Sequence, residues 1–366
     1  MWKYVLKRIG LALMTAFIIL SLTFILMKCL PFQMPVGTDP QCYSYFQSQV
    51  SLGYAQEHQI SLKQFELLKN DSEDNVYRKD FESKNGTYLW GTSQMIQGKA
   101  CVFTETPIME QYFSWIKNIV TKWDWGTSTH IKVNVGAIYI IGERLPTTIK
   151  VNVLSVIFSV PLGIILGIWA ALKKNTTTDH IISTAIMVFI SIPSFVLITF
   201  LMLIFCYRLG WLPTQWPGPS APQNEKILGY VLPIFCLSFG SICGYCRFTR
   251  AELCEVMSSE YLLLARTKGL TKKQAILRHA LRNAMVPIVP SILAEFIGIL
   301  GGSMILERLY GIKGIGSLFI DALNIKDYNV LFVDMAIFTT ISLLAGVILD
   351  ISYGFIDPRI RMGAKK

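Results

Sequence analysis

Histidine is scarce in this 366-residue chain: only His58, His130, His180 and His279 are present, and no two share metal-ligand spacing. A histidine-built metal centre is therefore not what the sequence encodes. A phosphate-binding loop is missing as well. The run from Gly86 to Ser93, GTYLWGTS, has P-loop spacing, but Thr92 stands where a Lys must reach the phosphates. Cys243 and Cys246 have C-x-x-C spacing inside an apolar run, with neither a second ligand pair nor a strand context, so zinc and thiol redox chemistry do not follow. Six of the eight cysteines (Cys29, Cys206, Cys236, Cys243, Cys246, Cys254) lie in or beside such runs and read as small apolar packing residues. Internal repeats, low-complexity runs and a soluble basic segment with readers for nucleic acid are also lacking. Together these absences argue against an ATP-hydrolysing chain, a membrane enzyme with a convergent polar or metal centre, and a nucleic-acid binder.

What the chain does have is apolar length. Hydrophobic residues make up 52% of it and charged ones only 16%, and several runs reach the roughly 20 residues that cross a bilayer. Spans are expected near Ile9–Cys29, Thr147–Leu172, Ile181–Tyr207, Leu228–Phe248, Met285–Leu306 and Val330–Phe355. The fold class is thus an all-α integral membrane protein with six transmembrane helices and both termini on one side. The first run exceeds the roughly 7–15 apolar residues of a signal core and no small-x-small site follows it, so it reads as an uncleaved span. Charge sets the orientation. Lys3, Lys7, Arg8, Lys173, Lys174, the cations of the 247–282 loop, Arg359, Arg361, Lys365 and Lys366 fall on one side, which the positive-inside rule makes cytoplasmic. The opposite short loops carry only Arg208, Lys226, Arg308, Lys313 and Lys326. The net charge of +10 is mostly this topology signal.

Three regions follow: an N-terminal span over 1–30, an extracytoplasmic loop or subdomain over 31–140, and a transmembrane domain over 141–366 with a cytoplasmic loop at 247–284. The long outer segment is polar and aromatic-rich, helix-like over Ile60–Thr87 and amphipathic over Pro107–Trp125. Cys42 and Cys101 are the only cysteine pair in it, and an even pair in an oxidising location predicts a disulfide between them.

The cytoplasmic loop is the most patterned part of the chain. Gly269 follows a helix-compatible run and suits a left-handed helix stop, while Thr271 and Gln274 have capping-box spacing, so the loop reads as helix, glycine break, helix. Arg247, Arg250, Arg266, Lys268, Lys272, Lys273, Arg278 and Arg282 face only Glu252, Glu255 and Glu260 in it. Tyr261, Ala265, Arg266, Lys268, Gly269 and Leu270, then Arg278, His279, Ala280, Leu281, Arg282, Asn283, Ala284 and Pro287, closely resemble the EAA-type loop of ABC importer permeases. The form is that of the oligopeptide/dipeptide/nickel family. Glu307, Gly311, Gly314, Ile315 and Gly316 with Asp327 and Tyr328 resemble a second motif of that family. Asp350, Tyr353, Asp357, Pro358, Arg359, Ile360 and Arg361 resemble its C-terminal motif, and Gln111, Tyr112, Trp115, Asp124, Gly126 and Ser128 its first-loop run. Departures are Lys313 in place of Pro, Gly346 in place of Asn, and the extended Val36–Thr106 stretch.

The resemblance is to the first, B-type permease subunit, and implies the type I permease fold in a bacterial cytoplasmic membrane. It also implies partners: a second homologous permease, two ATP-binding cassette subunits that bind ATP and Mg, and an extracytoplasmic solute-binding protein. The chain itself would hold no cofactor or metal and would not be an enzyme. Its cargo would be di- or oligopeptides, with nickel or another small solute as the alternative within the class. A secondary transporter, the alternative from another class, would need ion sites in broken, repeat-related spans, and no inverted repeat is visible.

The residues expected to matter fall in two groups. Tyr261, Leu264, Ala265, Arg266, Lys268 and Gly269 suit a short helix docking in an ATPase groove, although an amphipathic helix on lipid headgroups would also carry such cations. Glu295 is a carboxylate inside a span, costly there at about 2.5–3.5 kcal/mol or more, so it should face a cavity, pair or stay protonated. With Ser155 and Ser194 it is the candidate lining of the substrate path; the alternative is an internal hydrogen bond for Glu295 and helix packing for the small residues.

Overall fold

The computed structural model describes residues 2–69, 75–96, 99–298 and 303–356. Elements run in the order α1 (Trp2–Lys28), α2 (Asp39–Leu52), β1 (Ala55–Ile60), α3 (Leu62–Lys69), α4 (Val76–Asn85), β2 (Tyr88–Ile96), β3 (Lys99–Glu105) and α5 (Ile108–Lys122). Then follow α6 (Ala137–Leu172), α7 (Thr177–Ile190), α8 (Ser194–Leu201), α9 (Gln223–Met257), α10 (Glu260–Thr267), α11 (Lys272–Ala275), α12 (Leu281–Gly298), α13 (Met304–Tyr310), α14 (Ile315–Asn324) and α15 (Tyr328–Ile356). The chain divides into two compact units, one of Met1–Met14, Arg144–Leu318 and Phe338–Lys366, the other of Thr15–Glu143 and Phe319–Ile337.

The described elements of the first unit are helices, and α1, α6 and α15 each contribute residues to both units. Among the described residues, four helices are long and apolar enough to cross a membrane: Val5–Lys28, Ala137–Leu172, Gln223–Met257 and Tyr328–Ser352. One further apolar stretch is a bent helix pair. The single span expected over Ile181–Tyr207 breaks at Ile190–Ser194, where the two halves differ in direction by 96°. Pro193 sits at the break and has no N–H to continue the helix. The expected span over Met285–Leu306 is not among these helices: the described part of α12 ends at Gly298, residues 299–302 with Gly301 and Gly302 lie outside the described residues, and Ser303 is extended. Asp357, Pro358, Arg359, Ile360 and Arg361 of the C-terminal motif also lie outside the described residues.

Small residues let two of these helices touch. A Cβ on Gly163 would lie 2.9 Å from the Ile242 carbonyl, and one on Gly167 would lie 2.7 Å from that of Cys246. This four-residue small spacing is the usual way membrane helices approach closely. A buried hydroxyl pair joins the same helices, with Ser155 Oγ and Ser238 Oγ 3.0 Å apart.

Glu307, from the second motif, anchors the turn between α13 and α14. Its carboxylate accepts from Thr148 Oγ1 and from the Ser317 N–H, each at 2.9 Å, and Thr148 Oγ1 in turn accepts from the Ile315 N–H. Burial pushes the Glu307 carboxyl above its ordinary range, and these donors oppose the rise. Gly314 is needed because a Cβ there would sit 2.3 Å from Glu307 Oε2 and 2.4 Å from Thr148 Oγ1. Gly314→Ala should therefore cost about 3 kcal/mol, the scale for overpacking plus a disturbed buried polar group. Thermal unfolding of the purified variant checks this.

The second unit contains a three-stranded antiparallel sheet in the order β1-β3-β2. Its central strand has two cores. Cys101 and Phe103 pack with Tyr45 and Phe46, whereas Ala100 and Val102 pack with Phe65 and Leu68. Phe46, Trp90 and Phe103 cluster, with the Phe46 ring centroid 5.4 Å from that of Trp90 and 5.2 Å from that of Phe103. The expected helix over Ile60–Thr87 is instead α3 and α4, with Asn70–Asp74 outside the described residues. The expected amphipathic helix is present as α5, and it buries Gln111, Trp115 and Asn118 along one face. Asp327 ties together chain segments far apart, accepting from Ser128 Oγ at 2.5 Å and from the His130 and Ile131 N–H groups at 3.0 Å.

The disulfide expectation is corrected here. Cys42 and Cys101 are free, buried thiols. Cys42 lies on α2 with its Sγ 3.7 Å from the Pro35 carbonyl, while Cys101 is held in β3 within the aromatic core. Burial pushes both thiols up, so the reactive thiolate is disfavoured in the fold. Both should be alkylated after unfolding without reductant, as peptide mapping would show; a pair that reacts only after reduction would restore the bond.

Candidate coupling surface

The segment between α9 and α12 is built by local signals. Ser258 ends α9, and Ser259, in an extended conformation, begins α10. Gly269 has φ +90° with nothing within 4 Å of where a Cβ would stand, so backbone conformation alone demands glycine there. The capping box forms next, with the Thr271 N–H donating to Gln274 Oε1 at 3.1 Å and the Gln274 N–H to Thr271 Oγ1 at 3.3 Å.

Helix α10 is apolar on two sides. Leu262 is buried with Ala171, Leu253, Ala275, Ile276 and Ala280, and Ala265, three residues on along the same side of the helix, is buried too. Tyr261, Leu263 and Leu264 are 42%, 64% and 57% exposed, and Arg266 and Lys268 are exposed beside them. One apolar side thus roots the helix, and the other is left as a surface edged by cations. A cavity of about 260 Å³ adjoins the root, lined by Met257, Glu260, Leu263, Arg266 and Ile276 among others. Ala265 was expected on the docking side; it belongs to the root, because it falls on the Leu262 stripe.

One cation of the loop has an internal partner instead. Arg250 Nε and Nη2 donate to Asp179 Oδ1 and Oδ2 at 2.6 and 2.7 Å, and the Asp179 side chain is almost wholly buried. Asp179 also accepts from the Asn175 N–H at 3.0 Å. The two residues are 71 positions apart, and no local pattern announces the pair.

The candidate pathway residues do not converge. Ser155 is buried against Ser238, Ser194 is exposed at the start of α8, and half-buried Glu295 stands near the Tyr245 hydroxyl, which donates to the Ser291 carbonyl at 3.0 Å. Among the described residues no hydrogen bond joins any two of the three.

Residues 163–362, which contain this whole surface, match the family of binding-protein-dependent transport system inner membrane components. The chain belongs to that family. It is a family of transport permeases rather than enzymes, and this member is a multi-pass membrane protein. The dipeptide transport system permease protein of Lactococcus lactis subsp. cremoris is 30% identical over 362 residues, covering 99% of this chain and all of that one. The oligopeptide transport system permease protein of Haemophilus influenzae is 34% identical over 70% of this chain and 81% of its own. The dipeptide permease of Bacillus subtilis is 30% identical over 75% and 87%. The lactococcal alignment runs through the 31–140 segment, so the extension is shared with at least one permease of the family.

Proposed function

We propose that this chain is one permease half of an ATP-driven importer of di- or oligopeptides, and that α10 receives the motion of an ATPase subunit. The observation that carries the reading is the two-sided helix: Leu262 and Ala265 root it in the permease, while Tyr261, Leu263 and Leu264 form an exposed apolar surface with Arg266 and Lys268 at its edge. A coupling element needs both a rigid connection to the moving helices and a face for the partner. Gly269 and the capped turn after it supply the rigid connection.

The partners are a second homologous permease, two ATPases that bind ATP and Mg, and an extracytoplasmic binding protein. Both termini and the α10 loop are cytoplasmic, in a bacterial cytoplasmic membrane, and 31–140 is extracytoplasmic. Peptide cargo is supported by the names of the relatives, which are dipeptide and oligopeptide permeases. Glu295 is the pathway group suited to a peptide's amino terminus, because a carboxylate in a span needs a cationic or hydrogen-bonding partner.

The test is uptake in cells deleted for this chain and complemented with it. Labelled dipeptide or oligopeptide should accumulate only on complementation, and Glu295→Gln should lower uptake several-fold. Complementation of nickel but not peptide uptake would overturn the cargo reading.

A further inference from the structure

A cavity of about 130 Å³ lies within the second unit, and neither α10 nor any candidate pathway residue lines it. Four of its lining side chains present buried polar atoms without a hydrogen-bond partner: Gln49 Nε2, Gln111 Oε1, Trp115 Nε1 and Trp125 Nε1. Folded proteins leave few such atoms unpaired, and each one calls for an explanation. Four around one small space point to an occupant.

The chemistry of the lining is divided. Both indoles are donors only. Lys28 adds an ammonium group, 5.1 Å from the Tyr54 ring centroid. The acceptor side is Gln111 Oε1 together with Glu105. Gln111 Nε2 donates to Glu105 Oε1 at 2.9 Å and to the Thr106 carbonyl at 2.7 Å, both acceptors, so the amide orientation is set and Oε1 is the atom left open. Lys28 and Glu105 both line the cavity, so an amine and a carboxyl face the same space. A ligand complementary to it carries a carboxylate and an amine close together.

Size narrows the class. An apolar cavity of about 150 Å³ holds benzene, which has six heavy atoms. Alanine has the same number. We propose that this cavity is a binding site for a small free α-amino acid, with its carboxylate met by the indole N–H groups and Lys28 and its amine by Gln111 Oε1 and Glu105. The inference stands apart from the transport reading, since it rests on other residues and asks nothing of ATP.

The experiment is equilibrium binding of radiolabelled alanine to the full chain in lipid nanodiscs without nucleotide, with unlabelled competitors. Saturable one-to-one binding is expected, displaced by glycine but not by acetate or ethylamine, each of which carries only half the recognised group. Trp125→Phe, which keeps the ring and removes the N–H, and Lys28→Met should each weaken binding at least tenfold, with unfolding temperatures close to wild type. No saturable binding means the cavity holds water only and overturns the proposal. Displacement by acetate as strong as by glycine would make it a plain anion site, and displacement by dialanine equal to that by alanine would make the occupant a peptide end; either result overturns it. Unchanged binding in both variants would put the amino acid elsewhere and overturn it too.

Discussion

Replacing Leu264 with Asp should abolish stimulated ATP hydrolysis while leaving the permease folded. Leu264 is more than half exposed on the side of α10 that faces away from its root, so the charge meets water in the isolated chain. In a complex it would be buried against a partner, where an unpaired carboxylate is strongly unfavourable. Co-purified ATPase subunits should fall at least tenfold, about 1.4 kcal/mol of binding by the usual conversion. Ala265→Asp provides the contrast, because it places the charge at a buried position and should lower stability as well as coupling. Gly269→Val should lower coupling by a third route, since a β-branched residue is a genuine outlier at positive φ. If Leu264→Asp retains the ATPases and wild-type stimulation but loses affinity for anionic vesicles, α10 is a helix for lipid headgroups and the coupling role fails.

Removing one partner of the Asp179–Arg250 pair should give the largest loss of stability. Arg250→Met leaves a carboxylate of 1% side-chain exposure without its bidentate donor, and breaking such a pair costs about 3–5 kcal/mol. The Asn175 and Ser183 donors remain and set the lower part of that range. Combining Arg250→Met with Asp179→Leu should recover most of the loss, because an apolar pair of similar volume removes the uncompensated charge. Unfolding of the three variants in one detergent is the measurement. A double variant as unstable as Arg250→Met would mean that the pair acts through more than charge compensation.

The loop between α9 and α12 was legible because its signals are local. A glycine at a left-handed stop and a Thr–Gln box act over three or four residues, and both stand where the sequence puts them. Four of the span positions were legible for the same reason, apolar length being a property of a continuous run. The 96° break was only partly visible, since Pro193 marks a weak point without saying how far the halves diverge. The sheet of the second unit was missed. Its central strand is covered on both faces and so reads as an unbroken apolar run rather than an alternating one. The Gly163 and Gly167 spacing carried a usable signal for close helix packing that only the contact with α9 makes explicit.

The sequence by itself determined that this chain spans a membrane several times and bears a helix–glycine–helix loop. Caps, breaks and apolar runs are decided within a turn or two of chain, by sterics and hydrogen bonds that neighbours supply. Tertiary structure alone decided which side of α10 is rooted, and it paired Asp179 with Arg250, Glu307 with Thr148 and Ser128 with Asp327 across 71, 159 and 199 positions. It alone also gathered four unpaired polar atoms around one cavity. Such partners meet through the packing of whole elements, and no period or spacing along the chain records which distant residue will complete a buried charge or hydrogen bond.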